Sequence, residues 1–418
     1  MTARRPDVAV VGGGPIGLAV AWRCAARGLR VTVYDPAPGS GAVAVAAGML
    51  APVGEAYFGE EELTRLQVDS AARWPGFAAE LADLSGLDCG YRTDGTLVVG
   101  LTRDDVAEAS RLWTYQGELG LPITPLRAGE LREREPLLSP RVRGGAHAPD
   151  DHQVDPRRLV AALLTAVRRV GVEVVPTRVR RLSDVDAGVV VVAAGCQAAE
   201  LAGLPIRPVK GQVLRLRAPG EAAPGFRHVI RGYADGRSAY LVPRTDGEVV
   251  VGATVEERVD RSVTAGAVSE LLRAAVDLIP EIAEYHLVEA SAGLRPGTPD
   301  NAPILGALPD RPGVVAATGH YRHGVLLTPV TADLLAELIA TGVPAPGLAP
   351  FAPDRFGPPG AAPGEQAERS GRPVRSERPG RSERPVPSER PGRSGRPNGT
   401  ESPGAGRGEV GSLPNNEK

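Results

Sequence analysis

The residues from Val11 to Gly17 read VGGGPIG and place glycines at 12, 14 and 17. That G-x-G-x-x-G spacing suits phosphate chemistry. Gly12 permits a tight turn, Gly14 lets the backbone approach a pyrophosphate, and Gly17 lets a helix pack closely on a strand. A helix starting at Pro15 and Ile16 would point its N-terminus at the phosphate charge. Asp35 stands 18 residues after Gly17, with Pro36 beside it. An acid there is placed to accept hydrogen bonds from an adenosine ribose and disfavours a 2′-phosphate. The chemistry indicated is binding of a dinucleotide other than NADP.

Three further segments carry reactive or ligand-shaping residues. Ala46–Pro52 (AAGMLAP) is built of small side chains that let backbone approach a flat ligand. Gly293–Thr298 (GLRPGT) centres on Arg295, and Gly319–Pro329 (GHYRHGVLLTP) carries Arg322 and His323 ahead of an apolar helix start. An arginine between glycines suits a substrate carboxylate, because its planar fork donates two parallel hydrogen bonds. No Ser-His-Asp or metal-ligand spacing competes. His147 and His152, near Asp150 and Asp151, read as a solvated turn. Lys210 is the sole lysine before residue 357; its compact ammonium marks either a functional group or a structural ion pair.

The elements that must position these residues follow from periodicity. Asp7–Val11 reads as a strand, Pro15–Arg27 as a helix stopped by Gly28, and Leu29–Tyr34 as a second strand. This is a βαβ unit with a right-handed parallel crossover. Pro156–Arg169 reads as an amphipathic helix; Val172–Val175, Gly188–Ala193 and Gly313–Ala317 read as strands, and Pro329–Thr341 as a helix. Segments Val213–Arg217 and Tyr240–Thr254 alternate as in an antiparallel sheet. The nucleotide-binding pattern therefore returns at the start, middle and end of the body, so a second domain is inserted into it.

Composition bounds the rest. The chain has 418 residues, 42% hydrophobic, 4% aromatic and 23% charged, with net charge −2. So few aromatics and no basic field argue against nucleic acid as a partner. No apolar run reaches the roughly 18 residues of a membrane span, and the early strand leaves no room for a signal peptide. Three cysteines without paired spacing fit a reducing cytoplasm. Arginine outnumbers lysine 46 to 2, which reads as coding bias. Residues 357–418 hold 11 Pro, 12 Gly and a degenerate Ser-Glu-Arg-Pro repeat, and are expected to be a disordered tail.

Together the segments resemble the flavin-dependent D-amino acid oxidase superfamily and, within it, the glycine oxidases of thiamine biosynthesis. The resemblance is carried by VVGGGPIG with Asp35, AAGMLAP, PVKGQ around Lys210, YLVPR (Tyr240–Arg244), VVVGAT (Val249–Thr254), GLRPGT and GHYRHGVLLTP. These stand in the family's order across about residues 7 to 345. The fold expected is α/β: a discontinuous Rossmann-like FAD-binding domain with an inserted antiparallel-sheet substrate domain, plus the disordered C-terminal tail. The FAD-binding parts are expected at 1–85, 151–210 and 293–356, the substrate parts at 86–150 and 211–292, and the tail at 357–418.

The resemblance implies noncovalent FAD and oxidative deamination of glycine. The product would be the imine of glyoxylate for thiazole synthesis, with O2 reduced to H2O2. By resemblance Arg295 would grip the substrate carboxylate, with Arg322 and Tyr240 assisting. FAD would be held by Gly12, Gly14, Pro15, Ile16, Gly17, Asp35, Pro36, Ala47, Gly48, Met49, Val179, and the run His320, Tyr321, Arg322, His323, Gly324, Val325 and Leu326. Partners would be the small amine and O2, with no nucleic acid or membrane, and a homo-oligomer is open.

Two segments depart from the pattern. GSGAVAV, with Ala42, Val43 and Val45, stands where the family carries Arg and Ser or Thr, so weaker FAD affinity is expected. In GYADGRSAY the second pocket residue is open between Tyr233 and Arg231. Sarcosine, D-alanine or D-proline are alternative substrates, and a quinone or carrier protein is an alternative acceptor. A dinucleotide-binding structural subunit is the alternative outside the enzymes.

Overall fold

The computed structural model describes residues 5–220, 224–234 and 236–357. The expected tail lies outside the described residues, apart from Gly357. In chain order the first elements are β1 (Val8–Val11), α1 (Pro15–Ala26), β2 (Val31–Tyr34), β3 (Met49–Leu50), α2 (Glu61–Ser85), β4 (Thr96–Gly100) and α3 (Arg103–Glu118). Then come β5 (Thr124–Arg127), α4 (Ala128–Arg134), β6 (Gly144–Ala148), β7 (His152–Gln153), α5 (Pro156–Arg169), β8 (Glu173–Val175), β9 (Val189–Val192) and α6 (Ala198–Ala202). The last are β10 (Arg207–Arg217), β11 (Val229–Ala234), β12 (Arg237–Pro243), β13 (Glu248–Gly252), α7 (Ala265–Leu278), β14 (His286–Gly297), β15 (Ile304–Ala307), β16 (Val314–Thr318) and α8 (Thr328–Thr341).

Two sheets organise the chain. The first has strand order β15-β16-β9-β1-β2-β8 and is parallel except for the β15–β16 pair. Val8 of β1 pairs with Val31 of β2 on one side and Val189 of β9 on the other. The central strands β9, β1 and β2 are valine-rich and almost wholly buried, as expected where helices cover both faces. Leu18 and Trp22 of α1, Trp74 and Phe77 of α2, Leu159 and Leu163 of α5 and Leu335 of α8 pack into one core with this sheet. Asp155 caps α5 by accepting from the main-chain N–H groups of Arg157 and Arg158, and Pro156 opens the helix.

The second sheet has order β14-β10-β13-β12-β11-β4-β6-β5. It is antiparallel except for β11 beside β4, which run parallel. One face packs on α7 through Leu214, Leu241 and Val251 against Leu271 and Leu278. The two longest strands, β10 and β14, pair along their whole length. The expected boundaries at 210/211 and 292/293 both fall inside these strands.

One expectation is corrected here. The segment around His147–His152 is not a solvated turn. Asp151 is fully buried, and His147 and His152 sit half-buried on β6 and β7. The reason is local: both Asp151 oxygens accept main-chain hydrogen bonds, from Val53 N and Gly54 N, each at 2.8 Å. A carboxylate that satisfies two loop N–H groups is held inside.

Candidate active site

At the C-terminal end of β1 the chain turns through Gly12, whose φ is +115°. A Cβ there would lie 2.3 Å from the Ala193 carbonyl oxygen. One at Gly17 would lie 2.0 Å from the Gly12 carbonyl, so Gly17 serves helix-on-turn packing. At Gly14 a Cβ would meet nothing within 4 Å. Gly14 is also the N-cap of α1 and gives it no side-chain cap. The first-turn N–H groups are thus left for an external acceptor, and there is open space in front of them. Asp35 accepts from Gly13 N at 2.6 Å and Ala37 N at 2.8 Å, which fixes it at the rim.

These residues open one cavity of about 410 Å³ that runs between the two sheets. It is lined by every residue assigned from the sequence to cofactor or substrate except Gly17. Val179, Ala47, Gly48, Met49 and the whole run His320–Leu326 face it together.

The loop AAGMLAP is held by an unanticipated clamp. Gly48 has φ +79°, and a Cβ there would be 2.0 Å from the Val154 carbonyl. Arg244, the arginine of YLVPR, is buried and donates to the Ala47 carbonyl and to Gln153 Oε1. Burial lowers its guanidinium to about 10. It is a brace between the sheets rather than a cavity-lining residue. The segment Ala42–Val45 forms a 3-10 turn, of which Ala42, Val43 and Val45 line the cavity without a charged side chain; Arg178 and Arg261 are cations that line the same cavity.

The loop before α8 is equally constrained. Gly319 (φ +74°) and Tyr321 (φ +48°) both take left-handed backbone, and Tyr321 N donates to Pro296 O at 3.1 Å. His320 and His323 are buried, and burial lowers them to about 3 and about 4. Both imidazoles are therefore neutral near pH 7. His320 Nε2 sits 3.1 Å from Thr331 Oγ1, which ties the loop to α8.

Where the second sheet lines the cavity, its wall is built on glycines, Gly211 and Gly293. Arg295 of β14 lies across Gly211 of β10, where a Cβ would fall 2.3–2.5 Å from the guanidinium. Its hydrogen bonds go to two main-chain carbonyls, Lys210 O at 3.4 Å and Thr254 O at 3.2 Å. Among the described residues no carboxylate forms an ion pair with it. Tyr240 of β12 lies over its register partner Gly252 in the same way, with its hydroxyl 2.3 Å from where a Cβ would be. Burial raises its phenol, so it remains a hydrogen-bond donor at neutral pH.

Arg322 is not free in this way. Its Nε lies 3.4 Å from Glu55 Oε2, and Glu55 also pairs closely with Arg231. Burial acts to raise Glu55, but Arg231, Arg322 and His323 outweigh it and hold the carboxyl at about 2. Asp151, behind this cluster, is pushed up to about 7 by burial, against its two main-chain donors. Of the two candidates for a second pocket residue, Arg231 reaches the cavity only through Glu55, and Tyr233 does not line it. Glu55 and Asp151 were missed by sequence reasoning. Glu55 stands three residues after AAGMLAP, and that proximity was the available signal. Lys210 is a structural ion pair, with Nζ 2.8 Å from Asp260 Oδ1.

The residues present fit FAD. An uncapped helix start faces open space, a fixed acid stands at the ribose position, and small residues border the inner cavity. Comparison with known proteins agrees. Residues 7–338 match the family model described as FAD dependent oxidoreductase. Glycine oxidase of Geobacillus kaustophilus is 36% identical over 369 residues, covering 83% of this chain and 96% of that protein. Its crystal structure superposes with a TM-score of 0.78 at 34% identity, covering 84% and 99% of the two chains. The bifunctional protein ThiO/ThiG of Trichormus variabilis is 34% identical over 84% of this chain and 55% of its own length. Iminodiacetate oxidase of Chelativorans sp. BNC1 is similar in structure, with a TM-score of 0.75 at 26% identity over 83% and 98%. The resemblance read from the motifs therefore holds, and the chain belongs to the FAD-dependent oxidoreductases of the amino acid oxidase family, with FAD as its cofactor.

Proposed function

We propose that the protein oxidatively deaminates glycine, giving the imine of glyoxylate and reducing O2 to H2O2, and so supplies thiazole synthesis for thiamine. The observation that carries this reading is that Arg295 and Tyr240 both line the cavity, near enough for the guanidinium to act on the phenol. One guanidinium with no acid partner, one phenol and glycine-lined walls suit one small carboxylate. Arg295 would bind that carboxylate by charge-assisted hydrogen bonds, and Tyr240 would donate a further one. Arg322, already engaged by Glu55, would line the edge of the ring and assist. Neutral His320 and His323 add no positive charge against the substrate's amine. Glycine would give up its ammonium proton to solvent on binding and react as the neutral amine, so this reading asks no side chain to act as general base. FAD, which lining residues from both sheets would hold noncovalently, would supply the two-electron acceptor; the protein would supply orientation and exclusion of water. In this reading the first sheet holds the cofactor and the second closes over the substrate.

The match to iminodiacetate oxidase supports a second reading, a larger secondary amine as substrate. Peroxide formation measured across glycine, sarcosine, D-alanine, D-proline and iminodiacetate separates the two. Highest kcat/KM with glycine is expected. A preference of tenfold or more for iminodiacetate or D-proline would replace glycine as the substrate.

A further inference from the structure

Lys210 is the one lysine before residue 357, and the proposed reaction makes no use of its ammonium. The residue is completely buried. Its Nζ donates to Asp260 Oδ1 at 2.8 Å and lies 3.8 Å from Glu256 Oε2. Asp260 gathers Arg258 Nε and Ser262 N, each at 3.0 Å. Glu256 accepts from Gln212 Nε2 at 2.7 Å and Thr254 Oγ1 at 2.6 Å. Gln212 Oε1 in turn accepts from Thr264 N at 2.8 Å. Main-chain bonds between Lys210 and Glu256, at 2.8 and 3.0 Å, complete the set. The segment 254–264 is therefore stitched as a strap along residues 210–212 of β10.

Arg295 is tied to both sides of that stitch. Its two acceptors are the carbonyls of Lys210 and of Thr254, the first residue of the strap. Gly211, between Lys210 and Gln212, provides the space its guanidinium occupies. Arg261, farther along the strap, lines the cavity. A compact ammonium suits this position. It can serve two carboxylates from inside the sheet, where a planar guanidinium would need more room.

We propose that Lys210 is a positioning residue for substrate binding: through Asp260 and Glu256 it holds the 254–264 strap on β10, and so fixes the two carbonyls that aim Arg295 into the cavity. The inference rests on Arg295 being the carboxylate anchor.

The test uses FAD-loaded full-length protein. Lys210→Met removes the ammonium, and Asp260→Ala removes its nearest partner. The side chains of Glu256 and Asp260 are 23% and 38% exposed, so water can solvate them once the lysine is gone. Acetate, titrated against the oxidised protein and followed by flavin absorbance, reads the carboxylate site without turnover. Both variants are expected to raise acetate Kd and glycine KM by roughly tenfold, with a smaller change in kcat. Their double variant should be no worse than Lys210→Met alone, because loss of the lysine already breaks the link that Asp260→Ala removes. The amides of Glu256 and Thr264 should exchange hydrogen faster. Acetate Kd and KM within twofold of wild type in Asp260→Ala, whose site is open to solvent, would overturn the proposal even if Lys210→Met does not fold. Additive losses in the double variant would overturn it too. If wild-type protein binds no acetate and Arg295→Ala leaves KM unchanged, the anchor reading itself fails, and the inference with it.

Discussion

At the scale of single residues, the account turns on how charge is distributed in one cavity. Glu55 pairs with both Arg231 and Arg322, while among the described residues Arg295 has only carbonyl acceptors. Arg295→Ala should therefore cost roughly 1.5–3 kcal/mol of substrate binding, the value of a charge-assisted contact. That is a rise in KM of about ten- to a hundredfold, with FAD content unchanged in the absorbance spectrum. Tyr240→Phe removes one neutral hydrogen bond and should cost about 0.5–1.5 kcal/mol. Loss of FAD in Arg295→Ala would instead make that residue part of the cofactor site. The types and positions of both residues were legible in GLRPGT and YLVPR. That Arg295 has no carboxylate partner among the described residues was not, because Glu55, which pairs with the other arginines, comes from a loop about 240 positions away from it in sequence.

At the scale of elements, the glycines of the second sheet matter as much as the side chains they accommodate. Gly211→Ala would drive a Cβ into the Arg295 guanidinium, which the Lys210 and Thr254 carbonyls hold in place. A loss of glycine affinity comparable to Arg295→Ala is expected, with flavin retained; unchanged KM in a folded Gly211→Ala protein would contradict the proposed placement of Arg295. The β1–α1–β2 unit was legible because its apolar period changes cleanly at Pro15 and Gly28. Its ends were off by one or two residues, since α1 stops at Ala26 and β2 starts at Val31. By contrast β14 was not legible. HLVEASAGLRPG lacks alternation and carries two glycines, yet it forms a twelve-residue strand because β10 pairs with it throughout. Long-range pairing there overrides local propensity. Strands β4 to β6 were missed for the same reason: GGAHA reads as a loop and becomes a strand only between β4 and β5.

At the scale of the whole molecule, the two sheets meet at a buried polar seam, and its titration links the site to stability. His320 is lowered from 6.5 to about 3 by burial. Below pH 6.5 the unfolded chain takes up a proton that the folded chain refuses, so stability is lost as pH falls. The stability advantage of wild type over His320→Gln, measured in denaturant, should shrink as pH drops from 7 to 5. An advantage independent of pH would contradict the burial of a neutral imidazole there. Asp151, raised to about 7, works in the opposite direction: its contribution falls as pH rises from about 4 to 7. Interleaving of the first sheet's strands along the chain was legible in the sequence, because its valine runs recur before, between and after the inserted segments. Among the described residues no single helix is long and apolar enough to cross a membrane.

The most direct test is the absorbance spectrum of purified protein before and after anaerobic glycine. Flavin bands that bleach with glycine and return on admitting air are expected, and would establish cofactor, substrate and oxygen as acceptor together. Flavin bands that glycine leaves unchanged, in protein that Arg295→Ala does not alter, would contradict glycine as the substrate and Arg295 as its anchor.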